Sequence, residues 1–84
     1  MQKESDINII AMAQALKTWR IGCNLTLYRI GKEIDMDPHT LARMEAGEPV
    51  HSSALLKYIE FIRRGDPSFD IIEAWENEKK YLKK

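Results

Sequence analysis

The histidines and the cysteine of this chain, residue types that often bind zinc, are His39, His51 and Cys23. A zinc site needs ligands in pairs at short, regular spacing, and these three residues lack that arrangement. The sequence also has neither a nucleophile-and-base pattern nor a glycine-rich phosphate loop. We therefore expect no metal, no cofactor and no enzyme activity, and we interpret Cys23 as a small core residue.

Length and charge set the next limits. The chain has 84 residues, which is enough for one domain with one small core. It carries 13 Lys and Arg against 13 Asp and Glu, and both halves, 1–47 and 48–84, are balanced in charge. The strongly basic composition that would by itself indicate nucleic acid is therefore missing. A single Cys favours a reducing cytoplasm, and we expect neither a membrane-spanning segment nor a secretory signal.

The sequence predicts an all-α fold, because apolar residues recur at three- and four-residue spacing between short turn signals. Five helices are expected, at about 5–22, 26–34, 38–46, 52–65 and 67–82. The clearest start is Asp37-Pro38, since Asp accepts hydrogen bonds from the first turn and Pro has no N–H that needs a partner. Ser52 or Ser53 is expected to cap the fourth helix, and a turn-and-cap cluster at 66–68 is expected at the start of the fifth.

Only about three residues separate the second helix from the third. The apolar residues expected to face inward around this turn are Ile30, Ile34, Met36, Leu41 and Met44. Gly31 allows the two helices to approach closely, because it has no side chain. Such spacing makes the helices cross steeply, which is typical of a helix-turn-helix, a unit whose second helix can enter the major groove of DNA.

Residues 16–62 resemble the Xre-type, lambda-repressor/Cro-like DNA-binding domains. The residues that carry the resemblance are Leu16, Arg20, Leu25-Thr26, Ile30-Gly31, Ile34, Met36, Thr40-Leu41, Arg43-Met44-Glu45-Ala46-Gly47, Pro49 and Leu55-Leu56. The run 43–47 is similar to the R-I-E-x-G ending of the family's recognition helix. The resemblance implies a five-helix lambda-repressor-like fold in one domain, 1–84, with a structural ion pair between Arg20 and Glu45. An anion beside Arg20 is also expected because Arg20 lies on the apolar face of the first helix.

The resemblance further implies which residues contact DNA, with the recognition helix at about 38–46. The residues expected to read bases are Pro38, His39, Ala42 and Arg43. Those expected to contact the DNA backbone are Thr26, Arg29 and Thr40. Arg43 suits a bidentate contact to guanine, and His39 can donate to a base or a phosphate. The other interpretation of His39 and Arg43 is a solvated polar face.

Three residues depart from the family's pattern. Leu27 stands where Gln is usual, Asp35 stands at a turn position where Gly is usual, and Asp37 adds an anion near the expected path of the DNA. Each phosphate contact that is lost lowers affinity. We therefore expect weak DNA binding by one protomer and stronger binding by a dimer.

The fifth helix leaves two interpretations open. Its apolar stripe, together with one residue of the fourth helix, either closes the core or forms a dimer interface. The residues concerned are Phe61, Ile71, Trp75 and Leu82. A homodimer would place two recognition helices one DNA turn apart, about 34 Å.

The sequence thus predicts a sequence-specific regulator of transcription that binds double-stranded DNA, a repressor or Cro-like protein. The resemblance implies a bacterial, phage or mobile-element origin. The alternative is a protein-interaction module of antitoxin-like or anti-repressor-like character, favoured by the neutral net charge, Leu27 and Asp35. The DNA-binding and protein-binding interpretations predict different distributions of surface charge. A DNA-binding protein gathers Arg29, Arg43 and other cations on one face, whereas an even mixture of signs favours a protein partner.

Overall fold

The computed structural model describes residues 4–82, and every regular element in this range is an α-helix. The five helices are α1 (Glu4–Gly22), α2 (Leu27–Ile34), α3 (Pro38–Glu45), α4 (Ser52–Gly65) and α5 (Ile71–Leu82). The predicted all-helical fold is confirmed over the described range. None of these helices is long and apolar enough to cross a lipid bilayer.

Side-chain capping determines where α2 and α3 begin. Thr26 Oγ1 accepts a hydrogen bond from Arg29 N at 3.0 Å, and Asp37 Oδ1 accepts one from His39 N at 2.8 Å. Each bond satisfies a backbone donor that has no partner within its own helix. The start of α4 differs from the prediction, because His51 occupies the cap position in place of either serine, and its side chain makes no capping hydrogen bond.

The start of α5 also differs from the prediction. The helix begins at Ile71 rather than at about 67. Asp70 Oδ1 accepts hydrogen bonds from the backbone N–H groups two and three residues later, at 3.0 and 3.1 Å, and so caps the helix. In the predicted cap cluster, Asp66 Oδ1 instead accepts a hydrogen bond from the Ser68 hydroxyl at 2.9 Å.

The connection between α2 and α3 is a tight turn. Asp35 adopts the left-handed conformation, with φ 55° and ψ 56°, which Asp tolerates better than most residues. Met36 N then donates to Gly31 O at 2.8 Å. A Cβ atom on Gly31 would overlap the Met36 carbonyl oxygen, so the missing side chain is what permits the chain to return so closely to α2.

The core lies where α1, α2, α3 and α4 meet. Its largest fully buried side chains are Leu16, Ile30, Leu41, Tyr58 and Ile62. Ile34 and Met44 are buried as predicted, and Met36 is half-buried against the core. Cys23 is exposed, so the prediction that it is a core residue is wrong. It follows the last residue of α1, so the helical spacing that would turn it inward no longer applies.

Candidate functional site

The outward side of α3 is a short, accessible polar face. His39, Ala42 and Arg43 are exposed, and Pro38 is half-buried in the first turn of the helix. The opposite side of α3 is buried in the core, beginning with Leu41. The four residues predicted to read bases therefore lie together on one side of one helix, as their spacing requires.

Of the three residues predicted to contact a nucleic-acid backbone, two lie at the start of α2 and one lies on α3. Thr26 and Arg29 are exposed at the start of α2. The Thr26 oxygen accepts the capping hydrogen bond, and its hydroxyl hydrogen can still donate. Thr40 is half-buried, and together with Arg43 it lines a shallow crevice that extends to the start of α4.

Beneath the α3 face, one buried carboxylate joins three helices. Glu45, at the end of α3, is only 7% exposed. Arg20 of α1 donates from Nε to Glu45 Oε2 at 2.8 Å and from Nη2 to Oε1 at 3.0 Å. The hydroxyl of Tyr58, from α4, donates to Glu45 Oε2 at 2.7 Å. Arg20 also donates from Nη1 to Leu25 O at 2.8 Å, which holds the chain that leads into α2.

The protonation of this network is fixed by its surroundings. The hydrogen bond to Glu45 raises the pKa of Arg20 above its ordinary value. Burial, followed by the hydrogen bond to Glu45, raises the pKa of Tyr58 well above its ordinary value of 10.0. Both groups therefore keep their protons at neutral pH, and their hydrogen bonds to Glu45 link α1 and α4 to α3.

The charges around the α3 face are mixed in sign. Arg43 Nε lies 3.7 Å from Glu48 Oε1, and Arg29 Nε lies 3.8 Å from Glu33 Oε1. All four side chains are more than half exposed, so these pairs are screened and weak. The exposed charged residues between positions 26 and 50 are Arg29, Lys32, Arg43, Glu33, Asp35, Asp37 and Glu48. The cations are thus not segregated from the anions on this part of the chain.

The residues predicted either to close the core or to form a dimer interface have neighbours within the chain. Phe61 packs edge-on against Trp19, with 6.1 Å between ring centroids, and is half-buried against the core cluster. Ile71 is half-buried against the core cluster. Trp75 is half-buried, and its Nε1 donates to Asn8 O at 3.1 Å. Leu82 is half-buried at the end of α5.

Sequence reasoning missed two polar links that secure this arrangement. Trp19 Nε1 donates to Asp66 Oδ2 at 3.2 Å, which ties the loop after α4 to α1. It also missed Tyr58, whose hydroxyl donates to the Glu45 carboxylate. A buried Tyr or Trp normally finds a hydrogen-bond partner, and that rule was the available signal. It does not say which acceptor is used, because the partner lies far away in the sequence.

Among the described residues, no group of three or more His, Cys, Asp or Glu side chains is placed to hold a metal ion. His39 and His51 are both exposed, and Cys23 is exposed at the end of α1. In comparisons with known proteins, no family model, no curated protein and no solved structure matches this chain. Any function must therefore be argued from the residues and their geometry.

Proposed function

We propose that α2 and α3 form a helix-turn-helix of the Xre-type, lambda-repressor-like kind, and that this chain is a sequence-specific regulator that binds double-stranded DNA. The observation that carries the proposal is the exposed face of α3, which is fixed from below by the hydrogen bonds of Glu45 to Arg20 and Tyr58. A helix that reads DNA must present its side chains from a rigid base, because small displacements break base contacts.

In this proposal α3 lies in the major groove. Arg43 donates two hydrogen bonds to a guanine, and His39, one helical turn earlier, donates to a base edge or a phosphate. Pro38 and Ala42 present small apolar surfaces to the groove, where a thymine methyl group is a suitable neighbour. The residues that contact phosphates are Thr26, Arg29 and Thr40.

A homodimer would bind a near-palindromic site with its two recognition helices about 34 Å apart. Weak phosphate contacts, caused by the nearby acids, make such pairing of two protomers necessary for useful affinity. The cellular role that fits is a cytoplasmic repressor or Cro-like regulator encoded by a bacterium, a phage or a mobile element.

The first test is fluorescence anisotropy of a labelled random-sequence duplex titrated with the protein at several salt concentrations. The proposal expects affinity to fall steeply as salt rises, with a slope of roughly −0.9 per phosphate contact. An operator selected from a library then allows Arg43→Ala to be compared with Arg63→Ala. Arg63 is a matched control, because it is also exposed and lies 3.7 Å from a glutamate. No binding at low salt by the folded protein would overturn the proposal.

A protein-interaction module, antitoxin-like or anti-repressor-like, is the second candidate. The observation that favours it is the mixture of charges around α3, where Arg29 and Arg43 each have a glutamate within 4 Å. Alternating charges suit the rim of a protein interface better than they suit a phosphate backbone. Under this candidate the protein does not bind the duplex. Cross-linking in cells joins the unaltered chain to a partner protein, and Arg43→Glu abolishes that cross-link.

A further inference from the structure

A partly enclosed apolar cleft opens between α1, α5 and the loop that joins α3 to α4. Its volume is about 400 Å³, within the range of roughly 300–1,000 Å³ that is usual for small-molecule pockets. The apolar lining includes Met12, Leu16, Val50, Leu55 and Trp75. None of these residues is on the α3 face, although Val50 also lines the crevice beside Arg43, and the proposed function gives the cleft no role.

Two polar groups interrupt this apolar lining. Asn8 lines the cleft, and its Oδ1 atom is buried without a hydrogen-bond partner. Native proteins rarely leave a buried acceptor unpaired unless a water, an ion or a ligand completes it. The backbone oxygen of Asn8 accepts from Trp75 Nε1 at 3.1 Å, which fixes this residue in the wall. Glu48 also lines the cleft and is exposed, and its carboxylate lies 3.7 Å from Arg43 Nε.

We propose that this cleft binds a small, flat, apolar molecule that carries one N–H or O–H donor. The apolar body packs against Met12, Val50 and Trp75, and the donor pairs with Asn8 Oδ1. Because Asn8 Oδ1 is buried, this hydrogen bond requires a rotation about the Asn8 Cβ–Cγ bond. That torsion has a broad range in asparagine. A molecule without a donor leaves the acceptor unpaired.

Indole is a suitable probe, because it is an apolar bicycle with a single N–H donor. Its matched control is 1-methylindole, which has the same ring system and no donor. In isothermal titration calorimetry with the full chain, we expect indole to bind about tenfold more tightly than 1-methylindole. In a ¹⁵N-labelled sample, the indole-induced shifts should concentrate at Asn8, Met12, Val50 and the Trp75 side-chain N–H. Equal affinities, no binding, or shifts scattered away from the cleft would each overturn the proposal.

Two matched variants separate the hydrogen bond from the apolar contact. Asn8→Leu removes the acceptor at similar size, so indole affinity should fall about tenfold, to the level of 1-methylindole, which should bind as before. Asn77→Leu makes the same change at an exposed position on α5 and should alter neither affinity. Preference for indole that survives in Asn8→Leu contradicts the proposal. If Asn8→Leu does not fold, the affinities of indole and 1-methylindole for the unaltered chain still test whether the cleft requires a donor. All of these measurements are made without DNA, so their outcome is independent of the proposed function.

Discussion

Arg20 and Glu45 are joined by two parallel hydrogen bonds, from Nε to Oε2 at 2.8 Å and from Nη2 to Oε1 at 3.0 Å. The two side chains are only 15% and 5% exposed, so the pair lies where an unpartnered charge is costly. Because Arg20 belongs to α1 and Glu45 to the last turn of α3, the pair fixes the position of α3 on the domain. Its loss is therefore expected to lower the free energy of unfolding.

We predict that Arg20→Met lowers the free energy of unfolding by about 3 kcal/mol, because the buried Glu45 carboxylate loses its counter-charge. Urea denaturation followed by circular dichroism measures the change. Arg63→Met is the control, and it should change stability by less than about 0.5 kcal/mol, because Arg63 is exposed. In the double variant Arg20→Met, Glu45→Met, part of the lost stability should return, since no buried charge remains. A single variant as stable as the control would contradict this account.

Tyr58 gives a prediction for alkaline pH. Its pKa is raised in the folded state by burial and by Glu45, so unfolding releases a proton above the ordinary value of 10.0. The contribution of Tyr58 is therefore complete below about pH 10 and is lost as the pH rises further, by about 1.4 kcal/mol per pH unit. Urea denaturation of the unaltered chain and of Tyr58→Phe between pH 7 and pH 11 measures this dependence.

The two tyrosine variants should behave differently. Tyr58→Phe should lose about 1 kcal/mol at neutral pH, from the missing hydrogen bond, and should be less sensitive to alkali than the unaltered chain. Tyr28→Phe is the control, because Tyr28 is 68% exposed and should keep the alkaline dependence. An equal loss of stability at high pH in the unaltered chain and in Tyr58→Phe would show that the buried hydroxyl is not the cause.

Gly31 and Gly22 should respond in opposite directions to alanine. Alanine normally stabilises a helix by about 1 kcal/mol relative to glycine. At Gly31 the new Cβ would overlap the carbonyl oxygen of Met36, so we expect Gly31→Ala to lower stability by about 1–3 kcal/mol. At Gly22 no atom outside its own stretch of helix lies within 4 Å of the new Cβ, so Gly22→Ala should be neutral or stabilising. Thermal unfolding measures the stability of both variants. A Gly31→Ala variant as stable as the unaltered chain would contradict the close contact between Gly31 and the Met36 carbonyl oxygen.

Local signals predicted the helices well, because they act between residues close in sequence. The Asp37-Pro38 start of α3 depends only on hydrogen bonds within one turn, and the structure has it where it is expected. The predicted start of α5, at about 67, is earlier than the observed start at Ile71. Both 66–68 and Asp70 contain side chains that can accept hydrogen bonds from the first turn of a helix. The structure has Asp66 bound to Trp19 of α1, and Asp70 caps the helix. A contact between residues this far apart in sequence cannot be read from local spacing.

Side-chain environments were harder to predict for the same reason. Phe61 occupies a position on α4 that helical spacing places away from the main inner face, but Trp19 covers it. The hydrogen bond from the Tyr58 hydroxyl to Glu45 depends on how α3 and α4 pack together, and spacing within α4 does not give that packing. Glu48 has no distinctive pattern of its own in the sequence. Only the fold places its carboxylate beside Arg43.

Glu48 provides the last prediction, which concerns DNA affinity under the proposed function. Its carboxylate lies 3.7 Å from Arg43 Nε, and both side chains are more than half exposed, so the pair itself contributes little to stability. In a complex with DNA the same carboxylate repels phosphates and competes for Arg43. Glu48→Gln should therefore bind a duplex about two- to fivefold more tightly at low salt, and the difference should shrink as salt rises. Anisotropy titrations measure this change, with Glu60→Gln, beside Arg63, as the matched control that should leave affinity unchanged. Weaker binding by Glu48→Gln would mean that Glu48 positions Arg43 for DNA rather than opposing it.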